Sequence, residues 1–173
     1  MSKKKKLAIA GATGFIGRWF IETYKDKYDI IALSRKKVNP SNSDVEWRMV
    51  DLFSISSSNT ALEGVDYALY LVHSMQPSTR LNQSNFEDTD LLLADNFSRA
   101  AQNCNLKHIV YVGGILPKDN LNISKHLLSR FEVEQVLGSR TTPVTAVRAG
   151  IIIGPGGSSF RIVTKLVQNL PIM

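Results

Sequence analysis

Residues 7–17 read LAIAGATGFIG, an apolar run interrupted by glycine at positions 11, 14 and 17. This spacing narrows the possible folds more than any other feature of the chain. In a strand-to-helix turn each glycine has a mechanical task. Gly11 permits a sharp exit from the strand, Gly14 lets backbone approach a diphosphate, and Gly17 lets the helix pack close to the sheet. The diphosphate would lie against free N–H groups at the positive end of the first helix. Glycines also gather in ordinary turns and helix caps, so context has to decide. Here the triplet follows a strand pattern and opens a helical one, as a dinucleotide loop requires. Gly11, Thr13, Gly14, Phe15, Ile16 and Gly17 are the expected binding loop.

The rest of the chain repeats that alternation. Apolar strand patterns fall at 6–10, 29–33, 45–50, 67–72, 108–112 and 144–148. Helical patterns fall between and after them at 14–25, 57–63, 85–103, 124–137 and 158–169. Several strands are solidly apolar, as strands covered on both faces should be. In the third helix Phe86, Leu91, Leu92, Leu93, Phe97, Ala100 and Ala101 cluster on one face at helical spacing. Strand–helix alternation implies βαβ units with right-handed crossovers, hence an α/β fold with a doubly wound parallel sheet of Rossmann type. The stretches 39–44 and 115–122 read as loops, and no repeat or low-complexity linker is present.

The end of the second strand bears on which nucleotide is held. A site selective for NAD usually carries an acidic residue there, about 20 residues after the glycines, to bind the ribose 2′-hydroxyl. This chain has Ser34, Arg35, Lys36 and Lys37 instead, with no acid until Asp44. A guanidinium can hold a 2′-phosphate through paired hydrogen bonds. Arg35, assisted by Ser34 and Lys36, therefore points to NADP(H) rather than NAD(H). The alternative is a solvated basic loop.

Composition excludes more than it assigns. At 173 residues the chain fits one domain, and 43% hydrophobic with 21% charged residues is the balance of a globular protein. Lys3, Lys4, Lys5 and Lys6 supply four of the six net positive charges, so the basic balance is mostly a leader rather than a nucleic-acid stripe. That lysine run and the apolar segment after it imitate a signal peptide, but the glycine loop explains them better. No apolar run approaches the roughly 18 residues of a membrane span, and cytoplasmic location is the default expectation. The one cysteine, Cys104, sits late in a helical pattern as a small core residue, and the three dispersed histidines suggest no metal site. The segment GGILP at 113–117 has no Ser/His/Asp arrangement to accompany it, so hydrolysis has little support.

Taken with these readings, the chain resembles the extended and atypical short-chain dehydrogenase/reductases, which include nucleotide-sugar epimerases and NmrA-like proteins. The matching pieces are GATGFIG at 11–17, Asp51-Leu52, LEGVD at 62–66, NFSRAA at 96–101, KHIVYVGG at 107–114 and TPVTAVRAGIIIGPGG at 142–157. YLVHSM at 70–75 resembles more narrowly a bacterial subgroup of oxidoreductases with a further C-terminal region. The resemblance implies that Asp51 and Leu52 contact adenine, that Leu71, Val72 and His73 run beneath the riboses, and that Gly113 and Gly114 lie beside the nicotinamide. Asp51 could equally be a helix cap or a surface acid. The family usually continues with a substrate-binding region, so the chain is expected to be one NAD(P)-binding domain, 1–173, cut before it.

The catalytic set of that family does not carry over. Its active members use a Tyr-x-x-x-Lys pair on a helix, and no tyrosine here has lysine four residues later. Aligning SKHLLSRFEVEQVL at 124–137 on its Ser129 and Glu134 places His126 at the tyrosine position and Arg130 at the lysine position. Gly114 stands for the usual serine or threonine, and Asp90 for the usual asparagine. His126 and Arg130 share a helix face, so the arginine's charge would keep His126 a neutral base near pH 7. The alternative is an exposed His126 with Arg130 paired to Glu134. His73 would orient substrate or touch the nicotinamide ribose, or be a hydrogen-bonded structural histidine; His108 reads as structural. Two functions follow: an NADP-dependent oxidoreductase or nucleotide-sugar epimerase-like enzyme acting on an unidentified small molecule, or a non-catalytic NmrA-like dinucleotide sensor or regulatory module. A fold that merely resembles the family and binds another ligand stays open.

Overall fold

A computed structural model describes residues 4–38, 44–73, 86–117 and 123–169. The expected loops at 39–43 and 118–122, Ser74 and Met75 of YLVHSM, and residue 85 of the third helix lie outside the described residues. Among the described residues the elements are β1 (Lys6–Ala10), α1 (Phe15–Tyr24), β2 (Asp29–Ser34), β3 (Glu46–Met49), α2 (Ile55–Leu62), β4 (Tyr67–Tyr70), α3 (Phe86–Asn103), β5 (His108–Gly114), α4 (Lys125–Gly138), β6 (Val144–Ala149) and α5 (Ser158–Asn169). Every expected strand and helix is present.

The six strands pair in parallel in the order β3-β2-β1-β4-β5-β6. The order reverses between β1 and β4, and in such a doubly wound sheet the ligand crevice opens at the carboxyl ends of those strands. This is the expected Rossmann-type architecture.

Element ends differ from expectation for local reasons. β4 stops at Tyr70 rather than 72, although the Leu71 amide still donates to the Ala10 carbonyl at 2.8 Å. Beyond that bond β1 turns away through Gly11. β5 runs on through Gly113 and Gly114, residues that read as strand breakers, because they pair with Arg148 and Ala149 of β6. α2 begins two residues early because Ser54, whose hydroxyl accepts from the Ser57 amide, caps it.

Alternation of side chains splits the interior into two layers. Ala8, Ala10, Ile31, Leu33, Ala68, Tyr70, Ile109 and Tyr111 pack with Leu62 of α2, Phe97 and Ala101 of α3, and Val133 and Leu137 of α4. On the other face Leu7, Ile9, Ile30, Ala32 and Leu69 pack with Phe20 and Ile21 of α1. The expected apolar face of α3 needs one correction: Leu93, Phe97, Ala100 and Ala101 are buried, but Leu92 is 42% exposed. A contiguous Leu91-Leu92-Leu93 run turns too far around a helix for all three to face one core. Cys104 is half-buried against the same core and its thiol donates to the Asn59 carbonyl at 3.4 Å.

Phe97 and Leu92 make a matched pair for testing this assignment. Phe97 is fully buried with its ring 4.9 Å from that of Tyr70, so Phe97→Ala should lower the urea-unfolding free energy by about 3–5 kcal/mol. Leu92→Ala should change it by less than about 0.5 kcal/mol. Equal effects from the two would contradict the burial of α3.

Candidate active site and dinucleotide crevice

The glycine loop adopts a form that few other residues would permit. Gly11 has φ +89, and a Cβ there would stand 3.0 Å from the carbonyl carbon and oxygen of Leu71. The β1 exit therefore lies directly against the β4 exit. The turn closes with the Gly14 amide donating to the Gly11 carbonyl at 2.9 Å. Gly17 differs from expectation in what it approaches. A Cβ there would lie 2.5 Å from the Gly11 oxygen and 2.7 Å from the Ala12 Cα, so this glycine seats the helix on the turn itself.

Three helices have described N-caps, and α1 is the exception among them. Serine hydroxyls, from Ser54 and Ser124, cap α2 and α4. α1 is capped by Gly14 with no side-chain acceptor and no acid in its first turn. Its leading amides, beside exposed Thr13 and Gly14, form a positive end with no carboxylate to oppose an anion. Phe15 and Ile16 are half-buried below. This arrangement fits the diphosphate of a dinucleotide.

Two further walls adjoin the loop. At the end of β2 the Ser34 hydroxyl accepts from the Lys36 amide at 3.2 Å, and Arg35 and Lys36 are exposed. Asp51 is half-buried after β3, where one of its carboxylate oxygens accepts from the Phe53 amide. It does not cap α2, since Ser54 does. Buried Asn96 of α3 donates to the Leu52 carbonyl at 2.9 Å and so fixes that loop. A wall that sequence reasoning missed comes from 154–157, after β6. A Cβ at Gly154 would meet the Phe15 ring at 2.7 Å, and the Trp19 indole donates to the Pro155 carbonyl at 3.4 Å. The GPGG string was a visible signal that a loop approaches something closely there.

His73 and His126 sit beyond the carboxyl ends of β4 and β5. Gly114 lets α4 come close, because a Cβ there would lie 2.6 Å from Leu127, while a Cβ at Gly113 would lie 3.0 Å from the Tyr111 ring. α4 turns Ser129, Val133 and Leu137 inward. His126 and Arg130, one turn apart, flank that buried stripe. The His126 ring meets the His73 ring edge-on with centroids 4.7 Å apart. His73 Nδ1 is 3.0 Å from the Asp90 carboxylate, which is 6% exposed, while His73 Nε2 is buried with no hydrogen-bond partner among the described residues. Leu71, Val72, His73, Asp90, His126 and Arg130 are thus brought to one end of the sheet. His108 lies at the other, bonded to Thr145 at 2.8 Å.

The alternative pairing of Arg130 with Glu134 is not formed. Glu134 binds Arg148 at 2.7 and 3.1 Å, and Arg130 donates to the Val112 carbonyl at 3.3 Å. The His126 pKa is lowered, as expected, but the causes rank differently. Burial of part of the ring comes first, then His73, then Arg130, with Asp90 opposing.

The amino-acid sequence matches the NAD dependent epimerase/dehydratase family over residues 7–126, and the chain belongs to that family. It is 30% identical over 145 residues to the Auxiliary protein GraX of Staphylococcus aureus, covering 82% of this chain and 43% of that one. Its fold superposes on the Bordetella bronchiseptica enzyme WbmG in complex with NAD with a TM-score of 0.78 at 14% identity, over 96% of this chain and 60% of the other. A UDP-N-acetylglucosamine 4-epimerase from Bacillus cereus gives a TM-score of 0.63 at 24% identity, over 83% and 53%. The chain therefore spans less than half of the curated relative and little more than half of these structures. Among the described residues no helix is long and apolar enough to cross a membrane.

Tyr111 ties the site to the core, and its ionisation offers a test of the packing. Its buried hydroxyl donates to the Arg130 carbonyl at 3.1 Å, and burial pushes its pKa up to about 12 against the opposing charge of Arg130. A raised folded pKa means this contribution is complete below the unfolded value of about 10 and is lost as pH rises through about 12. Tyr111→Phe should lower stability by about 1 kcal/mol near neutrality. The gap from wild type should narrow above pH ~10, measured by urea unfolding across pH. A gap independent of pH would show that Tyr111 ionises as freely folded as unfolded.

Proposed function

We propose that the chain binds NADP(H) across the β1/β4 crevice and is the nucleotide-binding part of an oxidoreductase or epimerase-like enzyme. The observation that carries the cofactor reading is the uncapped, acid-free start of α1 above the Gly11 turn. Exposed Arg35 at the end of β2, with Ser34 and Lys36, supports NADP(H) over NAD(H). Asp51 and Leu52 take the adenine side, Leu71, Val72 and His73 the riboses, and Gly113 and Gly114 the nicotinamide end.

NADP(H), when bound, supplies or accepts the hydride. His126 moves the accompanying proton to or from the oxygen of a hydroxyl- or carbonyl-bearing small molecule. Its lowered pKa leaves it a neutral base near pH 7, ready to take a hydroxyl proton. Arg130 stays charged and only orients, since guanidinium does not shuttle protons. A second reading, a non-catalytic dinucleotide sensor or regulatory module, is favoured by the replacement of all four family catalytic positions. The relative GraX, named an auxiliary protein, agrees with it.

Calorimetric titration with NADPH and NADH tests the cofactor. NADPH should bind more tightly, and Arg35→Ala should weaken it by roughly tenfold to a hundredfold, about 1.5–3 kcal/mol. Gly14→Asp should abolish binding by setting a carboxylate against the diphosphate. Equal affinities for NADPH and NADH, unaltered by Arg35→Ala, would remove the 2′-phosphate assignment. For the two functions, loss of turnover in His126→Ala with NADPH binding intact marks the enzyme. Absent turnover with unequal affinity for NADPH and NADP+ marks the sensor, since only differential binding shifts an equilibrium.

A further inference from the structure

We propose that His73, pinned by the buried Asp90 carboxylate, is a positioning residue for His126, its ring set edge-on so that it restrains the charge His126 can carry. The inference rests on the reading of His126 as the acid/base group. It begins from an arrangement the family pattern does not contain: two rings edge-on at 4.7 Å, one bonded at 3.0 Å to an acid that is almost fully buried.

Asp90 as a carboxylate can only accept, so it holds a proton on Nδ1 of His73 and leaves the lone pair of that ring on Nε2. Nε2 is buried and has no partner among the described residues. A second proton there would place a charged ring against His126. If His126 were charged at the same time, the two cations would stand within a ring's width of each other in a partly water-excluded site. A charge on His73 would therefore oppose a charge on His126.

The surrounding groups sharpen this. From α4 come Arg130, which adds a second opposing cation, and Glu134, which is committed to Arg148 of β6. From β5 comes Tyr111, neutral until about pH 12. From β4 comes Tyr70, fully buried, its hydroxyl without a hydrogen-bond partner among the described residues and its ionisation pushed upward by burial and by Asp90. Asp90, from α3, is the anion among the described residues whose field opposes the lowering at His126, and it is hydrogen-bonded to His73. His73 is in turn the second-ranked cause of the lowered His126 pKa. A proton taken by His126 from a ligand would be destabilised while it stays there, which favours its prompt return.

Imidazole NMR titration of the full chain tests the coupling without substrate or cofactor. In His73→Gln the amide can still donate to Asp90 while the ring charge is gone. The His126 titration should then rise by about half a pH unit or more. Long-range nitrogen correlations should show neutral His73 protonated on Nδ1 in wild type, with that preference lost in Asp90→Asn. A His126 titration unmoved by His73→Gln would overturn the proposal, as would neutral His73 protonated on Nε2. Failure of NADPH binding, or turnover unaffected by His126→Ala, would strike the function proposed above and leave these titrations unchanged.

Discussion

The site depends on one close approach, that of the β1 exit to the β4 exit. Gly11 turns the chain in the left-handed region at φ +89 with Leu71 backbone 3.0 Å from where its Cβ would be. Any larger residue would need both an unfavourable φ and a displaced β4 end. That contact sets the position of Gly14 and hence the start of α1. β4 ends at Tyr70, just before that contact, and 71–73 follow it. The uncapped amides and His73 are thus placed by the same turn.

A second approach governs the other half of the crevice. Gly113 and Gly114 are in strand, paired to β6, yet the missing side chain of Gly114 admits Leu127 and Arg130 of α4. α4 is then held by three inward residues and by Tyr111, whose hydroxyl reaches the Arg130 carbonyl. His126 lies one turn before Arg130, at the end of the helix nearest the crevice. α3 contributes from the opposite side, with Asp90 reaching His73 and Asn96 fixing the loop at Leu52. The doubly wound core thereby delivers groups from β4, α3 and α4 to one place.

Much of this was legible in the sequence, because the signals were local. Solid apolar runs marked β1 and β2, helical spacing marked α3 and α4, and the glycine triplet marked the turn. What was not legible depended on partners distant in the chain. No local pattern says that a strand continues through two glycines; only the register with β6 does. Leu92 carries the same apolar signal as Leu93, and only the rotation of α3 against the sheet exposes it. His126 and Arg130 could be paired by their spacing within one helix. His73 and Asp90 are 17 residues apart on different elements, and His73 and His126 are separated still further, so their contacts required the fold.

The substitutions at the family's catalytic positions make physical sense as a set. A tyrosine must be brought down from about pH 10 before it can exchange a proton near neutrality, and an adjacent lysine does that. An imidazole already titrates near neutrality and needs no such cation. With histidine at position 126, a lysine's role in lowering a phenol becomes redundant, and Arg130 can turn its guanidinium to the Val112 carbonyl. What an imidazole does need is a defined orientation and restraint on its charge. A neutral asparagine at position 90 would give His73 a weaker hold; an aspartate gives it a charge-assisted one. Gly114, in place of serine, opens the space that lets α4 approach. If His126 is the acid/base group proposed above, the replacements exchange a phenol tuned by a cation for an imidazole set edge-on against a second imidazole that a buried acid holds.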